Sequence, residues 1–266
     1  MTYTSQSSPA INLLYPGISG AIISNDATTP NTKLVVSAGI MRDQSDTYDI
    51  NLGNAGGVYS NIAADAITTI DSSVVGLNGI DTGVLQASKI YYVYAISDAT
   101  NFNLPGAMIS LSSPAENPIL PAGYNIYRHI GFIHTDNSVH FLSGYWYGTG
   151  NARNFAYETP RQVGSSLNST TKATIALAGT VPDQVNLQAI INASITPATA
   201  GNVLTIYPYD AIGSQRIVTG QVSTVSISDQ FIVTVLLNSG SAALSYTVSN
   251  ASDSANVFVY GYFYTV

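Results

Sequence analysis

From Lys33 onward, apolar and polar residues alternate with a period of two in short stretches parted by turn residues, the pattern of half-buried β-strands. Helical spacing is nearly absent. Ile90, Tyr92, Tyr94 and Ile96 alternate with Tyr91, Val93 and Ala95, and Ala107–Leu111 follows Pro105-Gly106. Tyr124–His134 and Val139–Trp146 flank Thr135-Asp136-Asn137-Ser138, which predicts a hairpin because Asp and Asn tolerate the left-handed backbone of a tight turn. Phe155–Tyr157 reads as a short last strand of this region.

Residues 159–171 are polar, hold Pro160 and Gly164 and show no periodicity, so a linker between domains is expected there. Beyond it, Leu187, Ala189, Ile191, Ala193 and Ile195 alternate with Gln188, Ile190, Asn192 and Ser194. Further strands are expected at Val203–Tyr207, Arg216–Val222, Phe231–Leu237, Leu244–Val248 and Val257–Val266, a spacing that suits a β-sandwich. Residues 1–32, with Pro9, Pro16, Gly17, Gly20 and Pro30 around small apolar groups, read as an extended arm. The expected organisation is therefore an all-β protein of two β-sandwich or jelly-roll-like domains with an extended N-terminal arm. An arm over 1–32 precedes a β domain over 33–158, a linker over 159–171 and a sandwich or jelly-roll-like domain over 172–266.

Composition narrows the function. Of 266 residues, 45% are apolar and only 9% charged, well below the roughly 25% of ordinary soluble domains, so Ser, Thr and Asn carry the polar surface. The net charge of −7, with no basic block, leaves nucleic-acid binding without its electrostatic source. No apolar run approaches the ~20 residues of a membrane-spanning helix, so membrane insertion is not expected. The first residues lack the pattern of a signal peptide and there is no Cys, so cytoplasmic synthesis is expected and disulfide or thiolate chemistry is excluded.

Motifs for nucleotide, zincin or serine-hydrolase chemistry are lacking, and Glu116 and Glu158 are the only Glu, with thirteen Asp scattered mostly among turn residues. No catalytic residue, cofactor or metal site is assigned. His129, His134 and His140 would meet only under one hairpin register: a two-residue loop sets His134 opposite Val139, a three-residue loop opposite His140. Asp43, Asp46 and Asp49 recur every three residues without the alternation, Gly and Glu of a calcium loop, so a solvated loop is expected.

Eighteen Tyr supply apolar faces with polar tips, a composition suited to recognition. Tyr145-Trp146-Tyr147 is the densest group and reads either as an aromatic platform for a sugar or neighbouring subunit, or as ring burial with Trp146 as a core anchor. In the last predicted strand, Phe258, Tyr260, Tyr262 and Tyr264 would share one face and Val257, Val259, Gly261 and Phe263 the other. That strand is expected to be buried on both sides, within the subunit or at a contact between subunits.

Gly83–Ile96, followed by Met108-Ile109-Ser110-Leu111-Ser112, Leu120-Pro121-Ala122-Gly123-Tyr124, Tyr127-Arg128-His129-Ile130-Gly131 and Thr135-Asp136, resembles a module recurring in tail-fibre and other virion proteins of tailed bacteriophages. The shared order is a strand, then "SLS", "LPAGY", "YRRIG" and "TD", with His129 in place of the commoner second Arg. It covers 83–142 well and 33–147 loosely. The resemblance implies a non-enzymatic virion component of tail fibre, neck, baseplate or decoration type, often trimeric, with other virion proteins and its own copies as partners and with a role in host attachment. A surface rich in Ser, Thr and Asn, which desolvates at lower cost than ions, points the same way. The alternatives are a carbohydrate-binding adhesin outside a particle, for which a host surface glycan is the partner, and a capsule depolymerase.

Overall fold

A computed structural model describes residues 17–53, 68–100, 104–184, 187–209 and 216–266. Every regular element among them is a β-strand, and all strand pairs in the sheets are antiparallel. The chain divides into two compact units, Met1–Phe141 with Gly148–Asn151 and Val266, and Leu142–Tyr147 with Ala152–Thr265.

In the first unit the strands are β1 (Ile18–Gly20), β2 (Ile23–Asn25), β3 (Lys33–Val36), β4 (Gly39–Arg42), β5 (Asp49–Leu52), β6 (Thr68–Asp71), β7 (Ile90–Ser97), β8 (Gly106–Ser110) and β9 (Ile126–His134). They form three three-stranded sheets, ordered β1-β4-β5, β2-β3-β6 and β8-β7-β9. Within the expected arm, residues 18–25 hold β1 and β2, each hydrogen-bonded to a later strand, while the part of that expectation on residues 1–16 lies outside the described residues.

Tyr and apolar residues of the 83–136 segment build one buried cluster of this unit and tie its loops. Tyr94, Ile96 and Met108 form a buried cluster against which Leu77, Tyr92, Leu120, Tyr124 and Tyr127 pack. Three phenols then hold loop backbone: the Tyr94 hydroxyl donates to Ser112 O at 2.8 Å, Tyr124 to Leu104 O at 2.8 Å, and Tyr127 to Pro114 O at 3.4 Å and to the Asn117 side chain. Apolar ring and polar tip are both used, which is why Tyr and not Phe stands at these positions.

Turns in this unit are held by Asp side chains that accept backbone N–H groups ahead of them in the chain. Asp26 receives Thr28 and Thr29, Asp71 receives Ser73, and Asp136 receives Ser138 and His140. Asp43 is buried inside the β4–β5 loop and accepts from the amides of Ser45, Thr47 and Tyr48 and from the Ser45 hydroxyl.

The predicted hairpin at 135–138 is corrected. The Asp136 turn forms, with Thr135 bridged to Phe141, but the chain diverges immediately afterwards. β9 takes β7 as its partner instead, and residues 142–147 belong to the second unit. A turn signal fixes the reversal of the chain; the pairing was decided by the long apolar β7, which offers β9 a ladder of eight register pairs.

In the second unit the strands are β10 (Gly144–Thr149), β11 (Ala152–Leu167), β12 (Ala173–Ala176), β13 (Gln188–Thr196), β14 (Val203–Pro208), β15 (Arg216–Thr219), β16 (Ile227–Thr234), β17 (Leu236–Asn238), β18 (Ser241–Val248) and β19 (Ser254–Thr265). One sheet runs β10-β11-β19-β13-β16 and the other β12-β18-β14-β15, with β17 beside β18. The chain pairs β11 with β19, β12 with β18, β13 with β16 and β14 with β15, then folds that four-rung ribbon into two sheets. That is the connectivity of an eight-stranded jelly roll.

Two expectations fall with this topology. Phe155–Tyr157 is part of β11, and that sixteen-residue strand runs through most of the segment expected to be a linker, to Leu167. The period of two was hidden because β11 pairs β19 with register shifts between Ala156 and Arg161 and again around Gly164. Each shift moves the side chains to the other face and erases the alternation.

Candidate functional site

The two aromatic groups singled out in the sequence, at 145–147 and 258–264, meet in the first sheet of the jelly roll. β10 presents Trp146 inward, where its ring centroid lies 5.0 Å from that of Phe155. Phe155 continues to Tyr157 at 4.7 Å and to Tyr262 at 5.3 Å, and Tyr262 to Tyr264 at 5.6 Å. This ladder lines the inner face, and its members are buried. Burial holds the phenols of Tyr262, Tyr157 and Tyr264 protonated, well above their ordinary pKa, and it lowers that of Arg153, which lies near Tyr264. Trp146, Tyr262 and Tyr264 are core.

The expected face sharing in β19 is corrected. Val257 and Val259 face inward with Tyr262 and Tyr264, whereas Phe258 and Phe263 point outward and remain half-buried. The cause is a bulge: β13 pairs Ile190 with Gly261 but the next residue, Ile191, with Val259, so Tyr260 is the extra residue and the alternation reverses. Gly261 is required at this point, because a Cβ there would sit 2.1 Å from the carbonyl oxygen of Phe155.

The register rows define the outer face residue by residue. Asn154, Phe263, Gln188 and Thr234 form one row, and Ala156, Gly261, Ile190 and Ile232 the next. Gln162, Phe258, Asn192 and Gln230 follow, then Asn256, Ser194 and Ser228. Opposite Trp146 on β10, Tyr145 and Tyr147 are 61% and 45% exposed, and Ile232 on the far edge strand is 53% exposed. Of the predicted site residues, Tyr145 and Tyr147 are thus presented to solvent, Phe258 is half-covered on the same face, and Tyr260 occupies the bulge. Ile190 and Ile232 were missed; the signal was an Ile at an otherwise polar outward position of a recognised strand.

The three histidines stay apart. His129 is buried among Tyr92, Tyr94 and Phe132, its Nε2 2.9 Å from Gly131 O, and burial pushes its pKa down to about 3. His134 is buried in β9 opposite Ile90, and His140 is half-exposed beside Asp136 at 3.6 Å. Neither register considered from sequence occurs, because Thr135 opposes Phe141. Among the described residues, no three His, Asp or Glu side chains are gathered as metal ligands.

No protein-family model and no curated protein matches the chain. Among solved structures, infectious bursal disease virus, Gx strain, matches with a TM-score of 0.22 at 8% identity, over 94% of this chain and 71% of that one. The mosquito-larvicidal Cry4Aa toxin from Bacillus thuringiensis gives 0.23 at 8% identity, over 94% of this chain and 52% of the toxin. At these scores neither likeness bears on function, and the jelly-roll topology rests on the strand order alone.

Proposed function

We propose that the protein is a non-enzymatic structural component of a bacteriophage virion, of tail-fibre, neck, baseplate or decoration type, that assembles through low-charge β surfaces and contributes to host attachment. The observation that carries this reading is the outer face of the five-stranded sheet, where amide, hydroxyl, aromatic and aliphatic side chains stand in paired rows. Such a face desolvates against another protein at lower cost than one studded with ions. Jelly rolls are frequent in capsid and lectin domains, and the ordered series from Gly83 to Asp136 resembles phage virion modules. Mass spectrometry of purified phage particles tests it: the chain is expected at a fixed copy number, and its absence from particles overturns the reading.

Tyr145 and Tyr147, exposed side by side on an edge strand, favour a second reading as a glycan-binding module. A glycan array probed with the isolated chain, and with Tyr145→Ala and Tyr147→Ala, decides it. Trp146→Ala is uninformative there because it removes a core ring.

A further inference from the structure

We infer that the outer face of the β10-β11-β19-β13-β16 sheet is where a second copy of this chain docks; the inference rests on the structural reading above and names the partner of that surface. Among the described residues of its paired rows there is no Asp, Glu, Lys or Arg. The charges of these strands lie outside those rows. Arg153 faces the core, and Asp229 is opposite Ala193, where it pairs with Arg216 of the other sheet. Glu158 and Arg161 are exposed on the stretch of β11 where its pairing with β19 is interrupted, Arg161 opposite inward-facing Val259.

Charge selects the occupant. The chain carries a net −7, so two copies repel wherever their carboxylates face each other. This neutral face is where they approach at least electrostatic cost. A basic partner would be drawn to the carboxylates instead, and an anionic one is repelled by the molecule as a whole. Size agrees. The five strands, of six, sixteen, twelve, nine and eight residues at about 3.4 Å each and about 4.8 Å apart, cover roughly 830 Å². That matches the ~800 Å² each partner contributes to a stable interface of standard size. Tyr145, Tyr147 and Ile232 are exposed apolar side chains at its two edges, with Phe258, Phe263 and Ile190 half-covered between them.

The test is the mass of the full-length protein in solution over a concentration series, by light scattering and native mass spectrometry. Wild type is compared with Ile232→Glu, Tyr147→Glu and, on the exposed outer face of the second sheet, Thr219→Glu. All three positions are solvent-exposed, and circular dichroism checks that each variant keeps its strands. Wild type is expected to associate. Ile232→Glu and Tyr147→Glu should each raise the half-dissociation concentration at least about tenfold, because a contact between copies then opposes like charges, while Thr219→Glu leaves it unchanged. A wild-type chain that stays monomeric throughout, an oligomer indifferent to the first two substitutions, or one equally sensitive to Thr219→Glu overturns the inference. A monomer found in purified particles sinks this contact and leaves the virion role standing; an oligomer dispersed by Ile232→Glu but absent from particles does the reverse.

Discussion

In the first unit no sheet exceeds three strands among the described residues, whereas the second stacks a five-stranded sheet on one of four strands flanked by β17. The first therefore leans on side chains that reach into the backbone: Asp carboxylates that close turns and Tyr hydroxyls that tie loops. The second leans on long ladders, such as the eight-pair register of β13 with β16, and on an aromatic seam inside them. Small sheets bury too little on their own, so local polar ties supply what ladder length supplies elsewhere.

The sharpest way to break this contrast is to strike the seam. Phe155→Ala removes the ring that joins Trp146 to Tyr262 and is expected to cost about 3–5 kcal/mol in urea unfolding. Hydrogen exchange should show protection lost across β11, β13 and β19 while β7 keeps its own. Equal loss in β7 would mean the two units melt as one block.

Asp43→Ala is the matching cut in the first unit. It strips an acceptor of three amides and a hydroxyl, and is expected to cost about 1–3 kcal/mol, with protection lost around β4 and β5 alone.

Acid offers a gentler separation. Burial would raise the pKa of Asp43, but the hydrogen bonds from Ser45, Tyr48 and Thr47 outweigh it and hold it low; backbone and side-chain bonds from Thr29 lower Asp26, and Ser73 and Lys33 bring Asp71 to about 2. All three are in the first unit. A carboxylate with a depressed folded pKa adds stability above its unfolded value of about 3.9 and loses it as pH falls towards the folded one. Buried His129 adds to the slope, since the unfolded ring takes a proton below about 6.5 and the folded one only near 3. Exchange protection should thus fade in the first unit before the second between about pH 6.5 and 2, and His129→Phe should flatten the upper part of that decline. Simultaneous loss in both units would count against the contrast. The smallest effect is expected from Tyr145→Ala, within about ±0.5 kcal/mol on stability because its ring is mostly in water.

How much of this was legible in the sequence differs along the chain. The regular alternation of Leu187–Ile195 and of Ile90–Ile96 gave β13 and β7 almost to their ends, since the extra residues of their shifted pairings, Tyr260 and Ile130, lie on the partner strands and leave their own alternation unbroken. β11 and β19 were misread for the opposite reason: bulges at Ala156–Arg161 and Tyr260–Gly261 reverse the inward face midway, and a period of two carries no mark of where it flips. The short β1, β2, β12 and β17 span at most four residues, too few for a period to register. For the candidate surface, the aromatic residues were visible, but which of them point outward depends on those same bulges.

The jelly-roll order also has a consequence for how the chain is made. β19 is the final strand in sequence yet lies between β11 and β13. Until the ribosome has released Ser254–Thr265, the larger sheet exists as two halves, each with a raw hydrogen-bonding edge exposed to any other nascent chain. Closing it joins residues about a hundred positions apart, a slow event by the measure of sequence separation. A chain cut short before Ser254 would keep that gap open and is expected to aggregate.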